Sequence, residues 1–272
     1  MKIQNDLLAG NNVSLNITEK TSGPFAPGEL DTIIIHYTAS GSVESAVRSL
    51  CDTNLKVSAH LVVGRNGEIV QLAPFTVKTW HAGNSSYKGR SGYNNYSIGI
   101  ELENPGYVTK NGEMYTAWFG KTYSAEDVVL AVHNNETMPR YWVKYTQKQV
   151  SIIEEICLLL IAKYNIKYIL GHDQIAPSRK QDPGPAFPMA KLIDRLVTAD
   201  QEPDSNEESF EQKRSFVAVD KLNIRSAPDI NAEKIALPLQ KGVELIVLQE
   251  KNGWVLVDTT IRGWVASQYL KC

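Results

Sequence analysis

Five histidines stand in this chain: His36, His60, His81, His133 and His172. His133 falls in residues 131–140, which read as irregular, and is expected to be a surface or internally satisfied side chain. His36 and His172 differ. Each closes a short apolar run, TIIIH and YILGH, that reads as a β-strand. The C-terminal ends of strands in α/β sheets are where ligand-binding groups gather. Asp182 follows ten residues after His172. Two imidazoles and one carboxylate form a usual ligand set for a catalytic zinc that keeps a fourth position open. His36, His172 and Asp182 are therefore the candidate metal ligands, although such residues occur together by chance in many sequences.

Local geometry extends the set. Pro183 biases Asp182 toward extended backbone, and in extended backbone residues i and i+2 point the same way. Lys180 and Asp182 are expected to face one site. By the same parity Glu101 and Glu103 share one side of the run SIGIELE, opposite Ile98, Ile100 and Leu102. A carboxylate on the inner side of a buried strand is costly without a charged or hydrogen-bonding role. One of the two glutamates is expected to be functional, and parity does not choose between them. Trp80, His81 and Asn94 lie in loops near the strand ends and are expected to line the groove, with packing an equal role for Trp80.

The elements that would position these residues form an α/β domain. Residues 31–37, DTIIIHY, and 97–103, SIGIELE, read as strands. Residues 58–63 and 67–72 flank a turn at 64–66 and read as a hairpin. Residues 42–50 read as a short helix. Residues 146–164 read as the clearest helix, with a Thr146/Gln149 capping box and an apolar face of Val150, Ile153, Ile156, Cys157 and Leu160. A short strand at 168–170 and a helix at 190–197 complete a mixed central sheet flanked by helices. The domain is expected to span residues 1–197. The stretch 198–214, TADQEPDSNEESFEQKR, is acidic and nearly free of large apolar residues, as a linker would be. Residues 215–272 carry short β-rich runs at 216–219, 243–249, 254–257 and 263–266 without helical period, which reads as a small β-barrel.

Composition removes several classes. A net charge of −2 argues against a nucleic-acid surface. The three cysteines, Cys51, Cys157 and Cys272, are widely spaced and do not form a disulfide framework or a cysteine-rich metal site. No apolar run is long enough to span a membrane. The N-terminus MKIQNDLLAGNN lacks the apolar core of a signal peptide. The chain is expected to be made in the cytosol, and release by lysis or a dedicated machine would leave the same signature.

The segments IIIHYTAS, SAHLVVGRNGEIVQL, WHAGNSSYKGRSGYNNYSIGIELEN and GHDQIAPSRKQDPGPAF, in this order and spacing, resemble the zinc-dependent N-acetylmuramoyl-L-alanine amidases related to phage T7 lysozyme. The resemblance runs from about residue 32 to 191 and is nearest to the branch that recycles anhydromuropeptides in the cytosol. It implies hydrolysis of the amide between N-acetylmuramic acid, or its anhydro form, and L-alanine. It implies His36, His172 and Asp182 as zinc ligands, Glu101 as general acid/base and Lys180 as electrostatic stabiliser. Some relatives have cysteine where this chain has Asp182, and some have a tyrosine where it has Ala59. Arg90 matches an arginine at the peptide end of the substrate; where the recycling branch has a second arginine close after it, this chain has Gly92. The run LNIRSAP at 222–228, with Gly242, Trp254 and Gly263-Trp264-Val265, resembles a bacterial SH3-like module. Such modules often bind cell-wall peptide or glycan, and a structural role with both tryptophans in the core stands beside that reading. Two rivals remain: a non-catalytic peptidoglycan-binding protein on the same fold, and a zinc peptidase of stem-peptide bonds. The first would have lost a ligand, and the second would be expected to carry H-E-x-x-H, which is absent.

Overall fold

The β-branched run after Asp31 is a strand because Val, Ile and Thr side chains suit a pleated, buried surface. In the computed structural model it spans Thr32–Tyr37 and is buried along all but its last residue. The structure describes residues 1–199, 214–225, 227–232, 234–235, 237–251, 253–258 and 263–271. The chain separates into two units, Met1–Glu202 and Pro203–Cys272.

The first unit is built on a six-stranded mixed sheet. In chain order its strands are β1 (Val13–Leu15), β2 (Thr32–Tyr37), β3 (Leu61–Val63), β4 (Ile69–Gln71), β5 (Ser97–Leu102) and β6 (Tyr168–Gly171), arranged β6-β2-β5-β3-β4-β1. Strands β6, β2, β5 and β3 run parallel, so their C-terminal ends share one edge. The β3–β4 hairpin turns antiparallel at 64–68. Strict alternation then sorts the side chains. Ile33, Ile35, Ile98, Ile100 and Leu102 face one way, onto helix α2 (Gln147–Tyr164) through Ile153, Ile156, Cys157 and Leu160. Ile34 faces the other way, onto Ala82, Tyr93, Leu170 and Ile175. On that second side helix α1 (Val43–Cys51), capped by the Ser42 side chain, packs Val43, Ala46, Val47 and Leu50 against Val62 and Leu72.

Helix α2 carries the expected Thr146/Gln149 capping box and stops at Asn165 in the left-handed region. Its buried face differs from the expected one at three positions, with Ile152 also buried. Val150 is half-buried, while Gln149 is wholly buried and donates to the Glu103 carbonyl at 3.0 Å. The capping side chain thus also ties the helix start to the end of β5.

Residues 107–143 correct the sequence reading most. The segment 131–140 that reads as irregular contains the turn of a hairpin, Val128–Val132 against Pro139–Val143. That hairpin belongs to a five-stranded antiparallel sheet with Tyr107–Asn111, Met114–Thr116 and Thr122–Tyr123. It has its own core of Val108, Tyr115, Ala117, Tyr123, Val128 and Val143. Beyond it, the single-turn helix α3 (His172–Ile175) follows β6 directly, and α4 (Met189–Ala199) closes the unit.

The second unit pairs Gly263–Ala266, Trp254–Asp258, Glu244–Lys251, Arg214–Val217 and Leu270–Lys271 into an antiparallel sheet over Val217, Leu222, Ile224, Leu245, Val255 and Val257. Trp254 is half-buried. Of the expected linker, Thr198 and Ala199 end α4 and Arg214 begins a strand; residues 200–213 lie outside the described residues, as does Cys272. Among the described residues no helix is long and apolar enough to cross a membrane.

Candidate active site

The register of β2 and β5 pairs His36 with Glu101. Both therefore project from the same side of the sheet at its C-terminal edge, one step past Ile34 and Gly99. Gly171 at the end of β6 pairs with Ile35, which sets His172 beside His36. The Asp173 N–H then donates to the Asp182 carbonyl at 2.7 Å and brings that segment back over the strand ends. The Asp182–Pro183 peptide is cis.

The outcome is a ring of three ligand atoms. Nδ1 of His36 and Nδ1 of His172 are 2.9 Å apart, and Asp182 Oδ2 is 2.9 Å from each. All three residues are buried. Ligands held at about 2.0–2.1 Å around a tetrahedral zinc stand roughly 3.3 Å from one another. The observed triangle needs to open by only a few tenths of an ångström to take the ion. Burial and the neighbouring His172 lower the His36 pKa to about 4 against the opposing pull of Asp182, so its imidazole is neutral, the form that ligates metal. Burial alone would raise the Asp182 carboxyl, but its contacts with the facing His172 and His36 imidazoles prevail and hold it well below the usual range.

A second layer fixes which nitrogen of each ring faces the centre. His172 Nε2 lies 3.1 Å from the Ala82 carbonyl, to which it donates, leaving Nδ1 a free lone pair. His36 Nε2 lies 3.0 Å from His81 Nδ1, and His81 Nε2 lies 3.2 Å from the Ser97 carbonyl. A proton on each Nε2 satisfies the whole chain and again leaves His36 Nδ1 free. Gly99 makes room for this relay: a Cβ there would stand 2.3 Å from the His81 ring. His81 borders the cleft, and its contacts make it an orienting group for His36. His60, behind it, is a satisfied core residue that accepts the Gly99 N–H on Nδ1.

Glu101 is 8% exposed, and its Oε2 has no hydrogen-bond partner. Burial, reinforced by Asp182 and opposed by Lys180, raises its carboxyl well above the ordinary range. Lys180 and Asp182 both line the cleft with Glu101, His36 and His172, in a cavity of about 600 Å³. Glu103 is elsewhere. Its Oε2 accepts the Arg65 N–H at 3.0 Å and caps the turn of the β3–β4 hairpin. The two glutamates that parity leaves equivalent are separated because β5 ends at Leu102.

Three expected groove residues are not brought to the cleft. Arg90 forms a two-pronged ion pair with Asp31 at 2.7 and 2.8 Å and stacks on Tyr93 and Tyr96. Asp31 precedes β2, so this pair occupies the opposite edge of the sheet from His36. The Trp80 indole N–H donates to Ser22 Oγ at 2.7 Å. Asn94 Oδ1 accepts the Ala82 N–H at 2.7 Å. Asn94 thus steadies the loop whose Ala82 carbonyl orients His172.

Two further residues carry the site without a sequence signal. Arg179 Nη2 donates to the Ala82 and Asn84 carbonyls at 2.9 Å each, closing the same loop. His133 is buried. Its Nδ1 accepts the Asn135 N–H, so its Nε2–H is the donor, 3.1 Å from both Asp173 Oδ2 and the Gln181 carbonyl. These acceptors are the immediate neighbours of His172 and Asp182. The ring of Trp142 stacks on His133 at 5.6 Å. Only the antiparallel sheet that the sequence reading missed places His133 there.

Comparison with known proteins agrees with this geometry. Residues 26–185 match the family model of N-acetylmuramoyl-L-alanine amidase, and residues 220–271 match that of the bacterial SH3 domain. The chain is 33% identical over 185 residues to the 1,6-anhydro-N-acetylmuramyl-L-alanine amidase AmpD of Citrobacter freundii, covering 66% of this chain and 79% of that protein. It is 31% identical over 179 residues to the N-acetylmuramoyl-L-alanine amidase AmiD of Escherichia coli, covering 62% of this chain but 54% of that protein, and spans 58% of the AmpD of the same organism. A crystal structure of a selenomethionine AmpD derivative superposes with a TM-score of 0.52 at 26% identity, covering 72% of this chain and 99% of that one. With more than half of its length matched to the family model and its three candidate ligands, Glu101 and Lys180 converging on one cleft, this chain belongs to the N-acetylmuramoyl-L-alanine amidase family.

Proposed function

We propose that this chain hydrolyses the amide bond between N-acetylmuramic acid, or its anhydro form, and the L-alanine of the stem peptide, with zinc held by His36, His172 and Asp182. The observation that carries the proposal is Glu101 Oε2, a buried carboxylate oxygen left without a partner beside a ring of three ligand atoms. An orphaned buried acceptor is costly and calls for a role. Zinc bound there supplies Lewis acidity to a water and to the amide carbonyl.

The chain's own groups move the protons. Glu101 Oε2 takes the proton of the attacking water and returns it to the departing alanine nitrogen, so that the C–N bond breaks with a neutral amine leaving. The raised carboxyl pKa favours holding the proton taken from water until it passes to the departing nitrogen. Lys180 offsets the negative charge that develops on the carbonyl oxygen. His81 and Ala82 keep the two ligand rings turned inward throughout. A recognition protein on the same fold has no need of an unpartnered glutamate at this spot.

The test is product analysis by mass spectrometry on intact sacculi and on soluble anhydromuropeptides side by side. Release of peptides with a free L-alanine amino end supports the proposal. Cleavage only within the stem peptide, or none with zinc supplied, contradicts it.

We further propose that the second unit binds cell-wall peptide or glycan and that hydrolysis does not depend on it. Deleting residues 216–272 should leave a folded protein that cleaves small soluble muropeptides at the rate of the full chain while losing adhesion to sacculi in a sedimentation assay. Failure of the shortened chain to fold or to cleave would make the two units one functional body.

A further inference from the structure

The turn that joins Met114–Thr116 to Thr122–Tyr123 holds Trp118, whose side chain is 78% exposed. Large exposed aromatics are usually loosely held, but this one is fixed. Its indole N–H donates to the Ala39 carbonyl at 3.0 Å. The Phe119 ring meets it edge-on at 5.4 Å and lies over Gly41, where a Cβ would come within 3.1 Å of that ring. The turn is closed on itself by the Ala117–Lys121 and Gly120–Ala117 backbone hydrogen bonds.

Its partner segment is a wall of the cleft. Thr38, Ala39 and Ser40 line the same cavity as His36 and Glu101. The Thr38 N–H donates to the Leu102 carbonyl at the end of β5, and the Ala39 N–H to the Asn104 carbonyl just beyond it. Ala39 has φ of +49°, an unfavourable value for an alanine that the surrounding bonds enforce. One residue therefore serves two faces. On one it borders the cleft; on the other its carbonyl anchors Trp118. The exposed indole also lines a second, separate groove together with Tyr107, Thr109, Lys110, Asn111 and Thr116.

We propose that this groove is a saccharide subsite across Ala39 from the cleft, and that it accepts further N-acetylhexosamine units of a glycan chain whose muramic acid sits at the zinc site. A sugar ring offers one face of C–H groups and a rim of hydroxyl and amide groups. The groove offers the complement: one flat aromatic face, held by its polar edge, with hydroxyl, amide and ammonium side chains along its length. It is open rather than enclosed, which suits a polymer passing through. The proposal rests on the amidase reading and names its substrate class, polymeric wall glycan in preference to a muropeptide with a single sugar.

The experiment uses the full chain with Trp118→Ala and Trp118→Phe. Hydrolysis is measured on sacculi and on a soluble anhydromuropeptide, and binding is followed by NMR of the indole N–H with N-acetylglucosamine oligomers and, separately, with free stem peptide. Trp118→Ala should lower kcat/KM on sacculi by about tenfold, the upper worth of one well-placed aromatic contact. It should leave the soluble substrate unchanged, and Trp118→Phe should recover part of the loss. The oligomers should shift the Trp118 signal and the peptide should not. An equal loss on both substrates, an unchanged rate on sacculi, or a response to peptide alone would overturn the subsite. The NMR arm reads sugar binding without catalysis, so a chain that cleaves neither substrate but binds oligomers at Trp118 would defeat the amidase reading while leaving the subsite standing.

Discussion

Glu101→Gln should lower kcat by about 10²–10⁴, the usual worth of general acid/base catalysis, with metal content and KM nearly unchanged. Glutamine keeps the shape and one hydrogen-bonding oxygen but takes up no proton. The same change should make the metal-free protein more stable. Burial raises the Glu101 carboxyl in the folded state, so the folded chain binds this proton more tightly than the unfolded one. Its stabilising contribution is present below the ordinary carboxyl range and is lost as pH rises through the raised value. The amide of the variant does not titrate. The melting-temperature advantage of the variant should therefore grow from mildly acidic pH upward and level off once the wild-type carboxyl is ionised. Lower activity with higher stability is the signature of a strained catalytic group. Lys180→Met should also reduce kcat with metal retained, because its charge matters most when the carbonyl oxygen becomes anionic. Glu103→Gln should do far less, since its carboxylate caps the Arg65 turn. A severe Glu103→Gln defect beside a mild Glu101→Gln defect would mean the other carboxylate moves the proton.

The central sheet and the grouping of His36, His172 and Asp182 were legible because they follow from short-range rules. TIIIH and YILGH end in histidine at the ends of two parallel strands, and strand parity put Glu101 on the side away from Ile98 and Ile100. The capping box of α2 is equally local. What stayed hidden depends on contacts distant in sequence. Arg90 reads as a substrate contact, yet its guanidinium is claimed by Asp31, 59 residues earlier, and no local pattern announces that pairing. His133 reads as inert because strands 128–132 and 139–143 are short and the second begins with proline, which weakens a strand signal. Its acceptors at Asp173 and Gln181 lie 40 and 48 residues away. His81 was expected in the groove and borders it, but its bond to His36 emerges only once Gly99 lets the ring approach β5.

His36→Ala should abolish activity and bound metal together. The wild-type protein should contain about one zinc per chain, as a three-ligand catalytic site requires. Removing His36 deletes one vertex of the 2.9 Å triangle and leaves His81 Nδ1 without its donor. A ligand that binds only the folded state raises stability by an amount set by its concentration over Kd, about 2.7 kcal/mol at a hundredfold excess. Added zinc should accordingly raise the melting temperature of the metal-free wild type and leave that of His36→Ala unmoved, a readout independent of turnover. A His36→Ala protein with full zinc and full activity would remove this residue from the metal site. His133→Ala tests the layer behind the ligands. It frees Asp173 Oδ2 and the Gln181 carbonyl, the groups flanking His172 and Asp182, without touching the cleft itself. Zinc affinity should fall by about 10- to 100-fold, the range for groups that orient ligands, while activity at saturating zinc recovers most of its wild-type value. Unchanged zinc affinity in that variant would reduce the His133 contacts to packing of the antiparallel sheet alone.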